Sequence, residues 1–181
     1  LHPGDADDVY DPLSMLARAL ELRGNVAESE ALFRAAAEMA DRLANRSQPY
    51  TRGTSRLNLA RVIARQGRLA EAETEARGGL ARMLEMLEPG DSNIGLAQVQ
   101  LAGHLERLGR REEALVLAEE GLAVLEAVQP EGHSEILTAR LILARILAGL
   151  GRTAEAVVRA SRFPPLGERS SGAIAESLRR E

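Results

Sequence analysis

NLARVIARQGRLAEAE, at residues 58–73, sets a pattern that the 181-residue chain repeats three more times. The copies are LARALELRGNVAESE at 16–30, LAGHLERLGRREEAL at 101–115 and LARILAGLGRTAEAV at 143–157. Each copy carries a glycine at the same place, and successive glycines are 43, 42 and 42 residues apart: Gly24, Gly67, Gly109 and Gly151. A period of this length is typical of a helical solenoid, in which stacked hairpins share one continuous core.

The composition restricts the classes of function. Apolar residues make up 45% of the chain but aromatic residues only 2%, so the core must be aliphatic, and the abundant Leu and Ala favour helix. The net charge is −4, all 23 basic residues are arginine and no basic run occurs, which is a poor pattern for binding nucleic acid. No apolar run reaches the length of a membrane span. We therefore expect neither a nucleic-acid nor a membrane partner.

Hydrophobic periodicity predicts two helices in each repeat, separated by the repeated glycine. In the second repeat Leu59, Ala60 and Ile63 share one helical face, whereas Asn58 and Arg61 fall on the opposite side. Helix A of each hairpin is predicted at 12–23, 54–66, 94–108 and 136–150, and helix B at 26–45, 69–87, 111–128 and 153–162. Pro-Gly clusters at 1–5, 87–91 and, more loosely, 129–133 separate the repeats, which span about 10–50, 51–92, 93–134 and 135–163.

The two ends of the chain depart from this pattern. LHPGD at 1–5 matches the junction LEPGD at 87–91, so we expect the chain to begin in mid-array, as a piece of a longer protein. Near the other end Phe163, Pro164 and Pro165 stop the fourth helix B early. Residues 163–181 are predicted to form a linker and then either a short capping helix, begun by Ser170 or Ser171, or a tail.

Aligned on the glycine, the four copies agree at further positions. A Leu-Ala pair opens the pattern, a large aliphatic residue follows four positions after the Leu, and a small residue follows five positions after the glycine. The pairs begin at Leu16, Leu59, Leu101 and Leu143, the aliphatic residues are Leu20, Ile63, Leu105 and Leu147, and the small residues are Ser29, Ala72, Ala114 and Ala156. In these columns the chain resembles the tetratricopeptide repeats, in particular the 42-residue form found in kinesin light chains and many bacterial multidomain proteins.

The resemblance covers about residues 1–162 and implies an all-α, right-handed superhelical solenoid of about four helix-turn-helix repeats. Helix A is aliphatic where the family often carries an aromatic residue. In helix B only Phe33 keeps the expected large ring, which the other repeats replace by Ala76, Ala118 and Ala160. Small residues let neighbouring helices approach closely, so these departures leave the predicted fold intact.

The resemblance also implies that helix A lines a concave groove in which the family binds peptides. Arg18, Arg61 and Arg145 occupy one column of that surface, with Gly103 in the third repeat, and a column of guanidinium groups suits carboxylates. Asn58 matches the family asparagine that typically hydrogen-bonds a bound peptide backbone. The candidate groove residues are Arg18, Asn58, Arg61, Arg65, Gln100, Arg107 and Arg145.

Neighbouring positions are predicted to line the same groove, among them Leu57, Val99 and Gly149. Gly103 and Gly149 weaken helix A, which is explained if another chain must approach closely there. The alternative is that the arginines simply face solvent, paired with Glu21 or Glu106. Both interpretations are compatible with the residue spacing.

Patterns for catalysis and metal binding are missing. The three histidines are far apart, and His104 is predicted to be a partly buried structural imidazole rather than a ligand. Asp5, Asp7 and Asp8 lack the glycine and distal glutamate of a calcium loop, so we interpret them as a solvated junction. No phosphate-binding, nucleophile-elbow or kinase motif occurs. We therefore expect no enzymatic activity, no cofactor and no metal.

The sequence predicts a protein–protein interaction scaffold. Its partner would be a protein or peptide segment with acidic side chains or a free carboxylate, laid along the groove. One alternative is a regulatory sensor module fused to a kinase, nucleotide-switch or DNA-binding domain, which sequence upstream of Leu1 would reveal. Another is a structural array that self-associates without using the groove. We expect a cytoplasmic location.

Overall fold

The computed structural model describes residues 5–42 and 49–161, and within these ranges the chain folds into eight α-helices and no strand. The helices are α1 Asp5–Leu22, α2 Val26–Arg42, α3 Pro49–Arg65, α4 Leu69–Met86, α5 Ser92–Arg107, α6 Arg111–Val128, α7 Ser134–Gly149 and α8 Thr153–Ser161. The odd-numbered helices are the A helices and the even-numbered ones the B helices, and each helix packs on the next. The predicted all-α solenoid is therefore confirmed.

Each hairpin turns at its repeated glycine, which has a left-handed backbone conformation. Gly24 has a φ of 86°, a conformation that a residue with a Cβ adopts only with strain. The Asn25 N–H donates to the Leu20 carbonyl at 2.9 Å, and the Gly24 N–H donates to the Glu21 carbonyl at 3.1 Å. These two bonds close the end of helix A in a Schellman motif, and the same pair recurs at Gly109 and Gly151.

The repeated aliphatic and small residues form one continuous core. Its columns hold Leu59, Leu101 and Leu143, then Ile63, Leu105 and Leu147, then Ala72, Ala114 and Ala156. Leu16 breaks its column, because it is 52% exposed whereas its counterpart Leu101 is 1% exposed. Each later A helix packs against the B helix of the preceding repeat, and no described helix precedes α1. Within the described residues, α1 therefore lacks a preceding helix of the kind against which the later A helices pack.

Two pairs of glycines bring helix A and helix B of one hairpin close together. A Cβ added at Gly121 of α6 would lie 2.5 Å from the Gly95 carbonyl oxygen of α5. One repeat earlier, a Cβ added at Gly79 of α4 would lie 2.8 Å from the Gly53 carbonyl oxygen of α3. Backbone atoms cannot yield to such contacts as a flexible side chain can. These glycines therefore permit the close crossing of α3 with α4 and of α5 with α6.

Alanine substitution should have opposite effects at Gly121 and Gly103. Gly121→Ala pushes α5 and α6 apart, and we expect it to lower the free energy of unfolding by about 1–3 kcal/mol. At Gly103 the added Cβ would meet only Ile142 Cδ1, at an ordinary 3.5 Å. Gly103→Ala should therefore raise the free energy of unfolding by up to about 1 kcal/mol, because glycine weakens a helix interior. Urea unfolding measures both, and a Gly121→Ala variant as stable as the parent protein would contradict the close crossing.

Two A helices begin earlier than predicted, at Asp5 rather than residue 12 and at Pro49 rather than residue 54. The aspartates interpreted as a solvated junction lie in the first turn of α1, where the helix dipole favours negative charge. Pro12 is accommodated inside α1. Pro49 is the first residue of α3, where the missing N–H costs little. The linker and capping helix predicted at 163–181 lie outside the described residues.

Candidate partner-binding groove

The A helices lie next to one another along the array. Their backbones contact one another from α1 to α3, α3 to α5 and α5 to α7, whereas within residues 5–42 and 49–161 successive B helices make no such contact. One set of half-buried and exposed A-helix positions forms a surface that we call the A-helix face. Along α3, α5 and α7 it carries Thr54, Asn58, Arg61 and Arg65, then Leu96, Gln100, Gly103 and Arg107, then Thr138, Ile142, Arg145 and Gly149.

Arginines of this face donate hydrogen bonds to the preceding A helix. Arg61 donates to both carboxylate oxygens of Glu21 in α1, at 2.5 Å to Oε2, and Arg65 donates to Oε1 at 2.6 Å. Glu21 is only 4% exposed. Burial acts to raise the pKa of Glu21, but the hydrogen bonds and charges of Arg61 and Arg65 outweigh it and lower the pKa. Arg61 also lies over the buried ring of Phe33, with Cζ 5.7 Å from the ring centroid.

The next two junctions use the same position of helix A as the acceptor. Arg107 of α5 donates to the backbone carbonyl of Ala64 in α3 at 2.9 Å, and Arg145 of α7 donates to the carboxylate of Glu106 in α5. Glu21, Ala64 and Glu106 are equivalent positions of the first three repeats. The pairing of Arg61 and Arg145 with Glu21 and Glu106, raised as the alternative from the sequence, is present. These arginines tie successive repeats together.

Arg18 differs from the other arginines of its column. It is exposed on α1, and within the described parts of the chain it makes no hydrogen bond or ion pair. Asn58 and Gln100 are half-buried at equivalent positions of α3 and α5. The structure thus brings the candidate residues onto one face, on which Arg18 is a cation without a hydrogen-bond acceptor among residues 5–42 and 49–161.

Three positions assigned to the groove have other roles. Leu57 and Val99 are buried, and they pack against the glycines at which the hairpins cross, since a Cβ at Gly79 or Gly121 would meet them at 3.2 and 2.9 Å. Gly149 lies against the side chain of Arg111 in α6, whose Cδ would be 2.9 Å from an added Cβ. The prediction that Gly149 leaves room for another chain was wrong, because this chain's own Arg111 fills that space.

A pocket of about 240 Å³ opens on the A-helix face where α3, α5 and α7 meet. Its lining includes Arg61, Gln100, Glu135, Ile142 and His104. His104 is 8% exposed, and its Nε2 has no hydrogen-bond partner among the described residues. Burial, together with the nearby charge of Arg107, lowers the pKa of His104 to about 4, so the imidazole is neutral near neutral pH.

The repeats match known family models. One model described as a tetratricopeptide repeat matches residues 53–77 and 137–162, and a second model of the same description matches residues 13–50. The chain carries tetratricopeptide repeats. No curated protein matches the sequence.

Solved structures share the fold of this tetratricopeptide array. The nearly identical TPR-like repeats of a Podosopora anserina protein, assigned as a kinesin light chain, have a TM-score of 0.72 and 24% identity, over 87% of this chain and 72% of that chain. The structure of BtubC (BKLC) from P. vanneervenii has a TM-score of 0.73 and 20% identity, over 86% of this chain and 62% of that one. At these identities the similarity establishes the fold of the array, which is kinesin-light-chain-like.

Tetratricopeptide repeats generally mediate protein–protein interaction, and arrays of this kind are typically non-enzymatic. In the described part of the chain, no three His, Asp or Glu side chains lie close enough together to hold a metal ion. None of the helices described here combines the length and hydropathy of a membrane span.

Proposed function

We propose that the A-helix face binds an extended or short helical segment of a partner protein, and that this segment carries acidic side chains or a free carboxylate. The observation that supports this function is the charge balance of the face. Among residues 12–149, its arginines outnumber the carboxylates Glu21, Glu106 and Glu135 that lie on it or line its pocket: Arg18, Arg61, Arg65, Arg107 and Arg145. That part of the face therefore carries a net positive charge in a protein whose overall charge is −4.

The paired arginines keep capacity for a ligand. The side chains of Arg65 and Arg145 are 53% and 51% exposed, although each donates to a carboxylate. A guanidinium has several N–H donors, so each of these groups can hold its intrachain partner and also donate to a second carboxylate. Asn58 and Gln100 stand beside them on the same face, and their amide groups can both donate to and accept from a peptide backbone.

Arg18→Glu combined with Arg145→Gln should weaken the binding of acidic peptides by about tenfold or more, because two charge-assisted contacts are lost. Arg18 is preferable to Arg61 as a target, since Arg61→Glu would set a second carboxylate beside the buried Glu21. Fluorescence anisotropy with a library of labelled acidic peptides measures the affinities. Raising the salt concentration should weaken binding by the parent protein in the same assay.

A matched control places the same charge change among the B helices. Arg42→Glu with Arg152→Gln alters the end of α2 and the start of α8, and it should leave peptide affinity unchanged. If the A-helix variant binds as well as the control, or if salt has no effect, the proposed function is wrong.

A further inference from the structure

The junctions between consecutive hairpins differ at one pair of side chains. At the first junction Asp41 of α2 accepts from Arg56 of α3 at 2.5 Å. At the third, Glu126 of α6 accepts from both Nη2 and Nε of Arg140 in α7, at 2.7 and 3.0 Å. The equivalent positions of the middle junction hold Leu84 and Gln98. The arginine that spans the first and third junctions is therefore missing from the middle one.

A pocket of about 410 Å³ lies at this middle junction, between α4, α5 and α6. Its lining is mainly aliphatic and includes Leu84, Leu87, Ile94 and Val124. Val124 also replaces a charged residue, since its counterpart Arg82 donates to Asp41 at 3.1 Å one junction earlier. None of the described residues that line this pocket is among those of the A-helix face.

Gln98 and Glu120 supply this pocket with hydrogen-bond acceptors. The Gln98 side chain donates through Nε2 to Glu120 Oε2 at 3.0 Å, and its Oε1 is buried with no partner among the described residues. A buried acceptor left unpaired is unfavourable, and a carboxylate beside it favours a cationic donor. An apolar wall with an amide oxygen and a carboxylate is complementary to a side chain with an aliphatic stem and a charged donor at its tip.

We propose that this pocket receives an arginine side chain of a partner protein. The partner's guanidinium would occupy the place that Arg56 and Arg140 fill at the neighbouring junctions, donating to Gln98 Oε1 and Glu120. Its methylene groups would pack on Leu84 and Val124. The repeats themselves supply the template, because two of the three junctions already hold an arginine here. The proposal does not depend on peptide binding at the A-helix face.

An NMR titration with a blocked pentapeptide, one central arginine among alanines, tests the proposal on the whole chain. We expect saturable shifts of the Gln98 side-chain amide and the Leu84 and Val124 methyl groups in the millimolar range. The same peptide with citrulline in place of arginine keeps the shape but loses the charge. It should bind at least about tenfold more weakly. Glu120→Gln should weaken arginine binding several-fold without altering the apolar wall.

The double variant Leu84→Glu, Gln98→Arg installs the ion pair of the neighbouring junctions. It should fill the pocket and abolish the shifts while its circular dichroism spectrum stays that of the parent protein. Equal affinity for citrulline, shifts that survive in a folded double variant, or no shift at all would overturn the proposal. Shifts that depend on protein concentration alone would show a second copy in the pocket and would also overturn it. If the double variant fails to fold, unchanged binding by Glu120→Gln decides against the arginine.

Discussion

Leu101→Ala should lower the free energy of unfolding by about 2–5 kcal/mol. Leu101 is 1% exposed in α5, in the column that includes Leu59 and Leu143. Truncation removes buried methyl groups and leaves a cavity that rigid neighbouring helices fill only in part. The stability of a repeat array is approximately the sum of its repeats and their interfaces, so a cavity at a central repeat weakens its contacts with both neighbours.

Urea unfolding followed by circular dichroism measures this loss. Leu141→Ala is the matched control, because Leu141 is a leucine of helix A that is 52% exposed. Its effect should stay within about 0.5 kcal/mol. An unchanged unfolding midpoint for Leu101→Ala would show that the assigned helical register is wrong.

Acidification should destabilise the array through His104. The pKa of this imidazole is lowered from 6.5 to about 4 in the folded protein, whereas the unfolded chain keeps the ordinary value. Between these two values the unfolded state binds a proton that the folded state does not. Stability therefore rises with pH across this window and is lost as the pH falls through it. A shift of one pKa unit corresponds to about 1.4 kcal/mol of free energy. The free energy of unfolding lost through His104 therefore reaches about 3 kcal/mol as the pH approaches its folded-state pKa.

His104→Val isolates this contribution. The equivalent residues of the second and fourth repeats, Val62 and Ile146, are buried aliphatics, so the substitution keeps the packing and removes the titrating group. The free energy of unfolding of the variant, relative to that of the parent protein, should increase by about 3 kcal/mol as the pH falls from neutral towards the folded-state pKa. Carboxylates titrate alike in both proteins and cancel in the comparison. A difference that does not vary with pH would contradict the buried, neutral imidazole.

The fold could be predicted because its determinants are local and are repeated. Gly24, Gly109 and Gly151 stand where the backbone must turn left-handed, and the Leu and Ala columns stand where each helix faces its neighbours. The helix starts at Asp5 and Pro49 were missed, since charge and proline effects at a helix terminus extend a helix beyond its apolar stripe.

The candidate site could be predicted only in part. The period placed Arg18, Arg61 and Arg145 in one column, but the hydrogen bonds that distinguish them connect residues far apart in sequence. Arg61 reaches Glu21 across 40 positions, while Arg18 has no such acceptor within the described residues. The burial of Leu57 and Val99 follows from the close crossing of each hairpin, which depends on both helices at once.

By itself, the sequence determined the period, the two-helix unit, the turn positions and most of the core, because each depends on residues within one hairpin. The tertiary structure decided how the hairpins meet. It showed which arginines are already engaged, that His104 lies buried beneath the A-helix face, and that Leu84 and Gln98 stand where the neighbouring junctions hold an ion pair. The reason is physical: the free energy of a charge or polar group depends on the partners and solvent around it, and here helices from other repeats supply them.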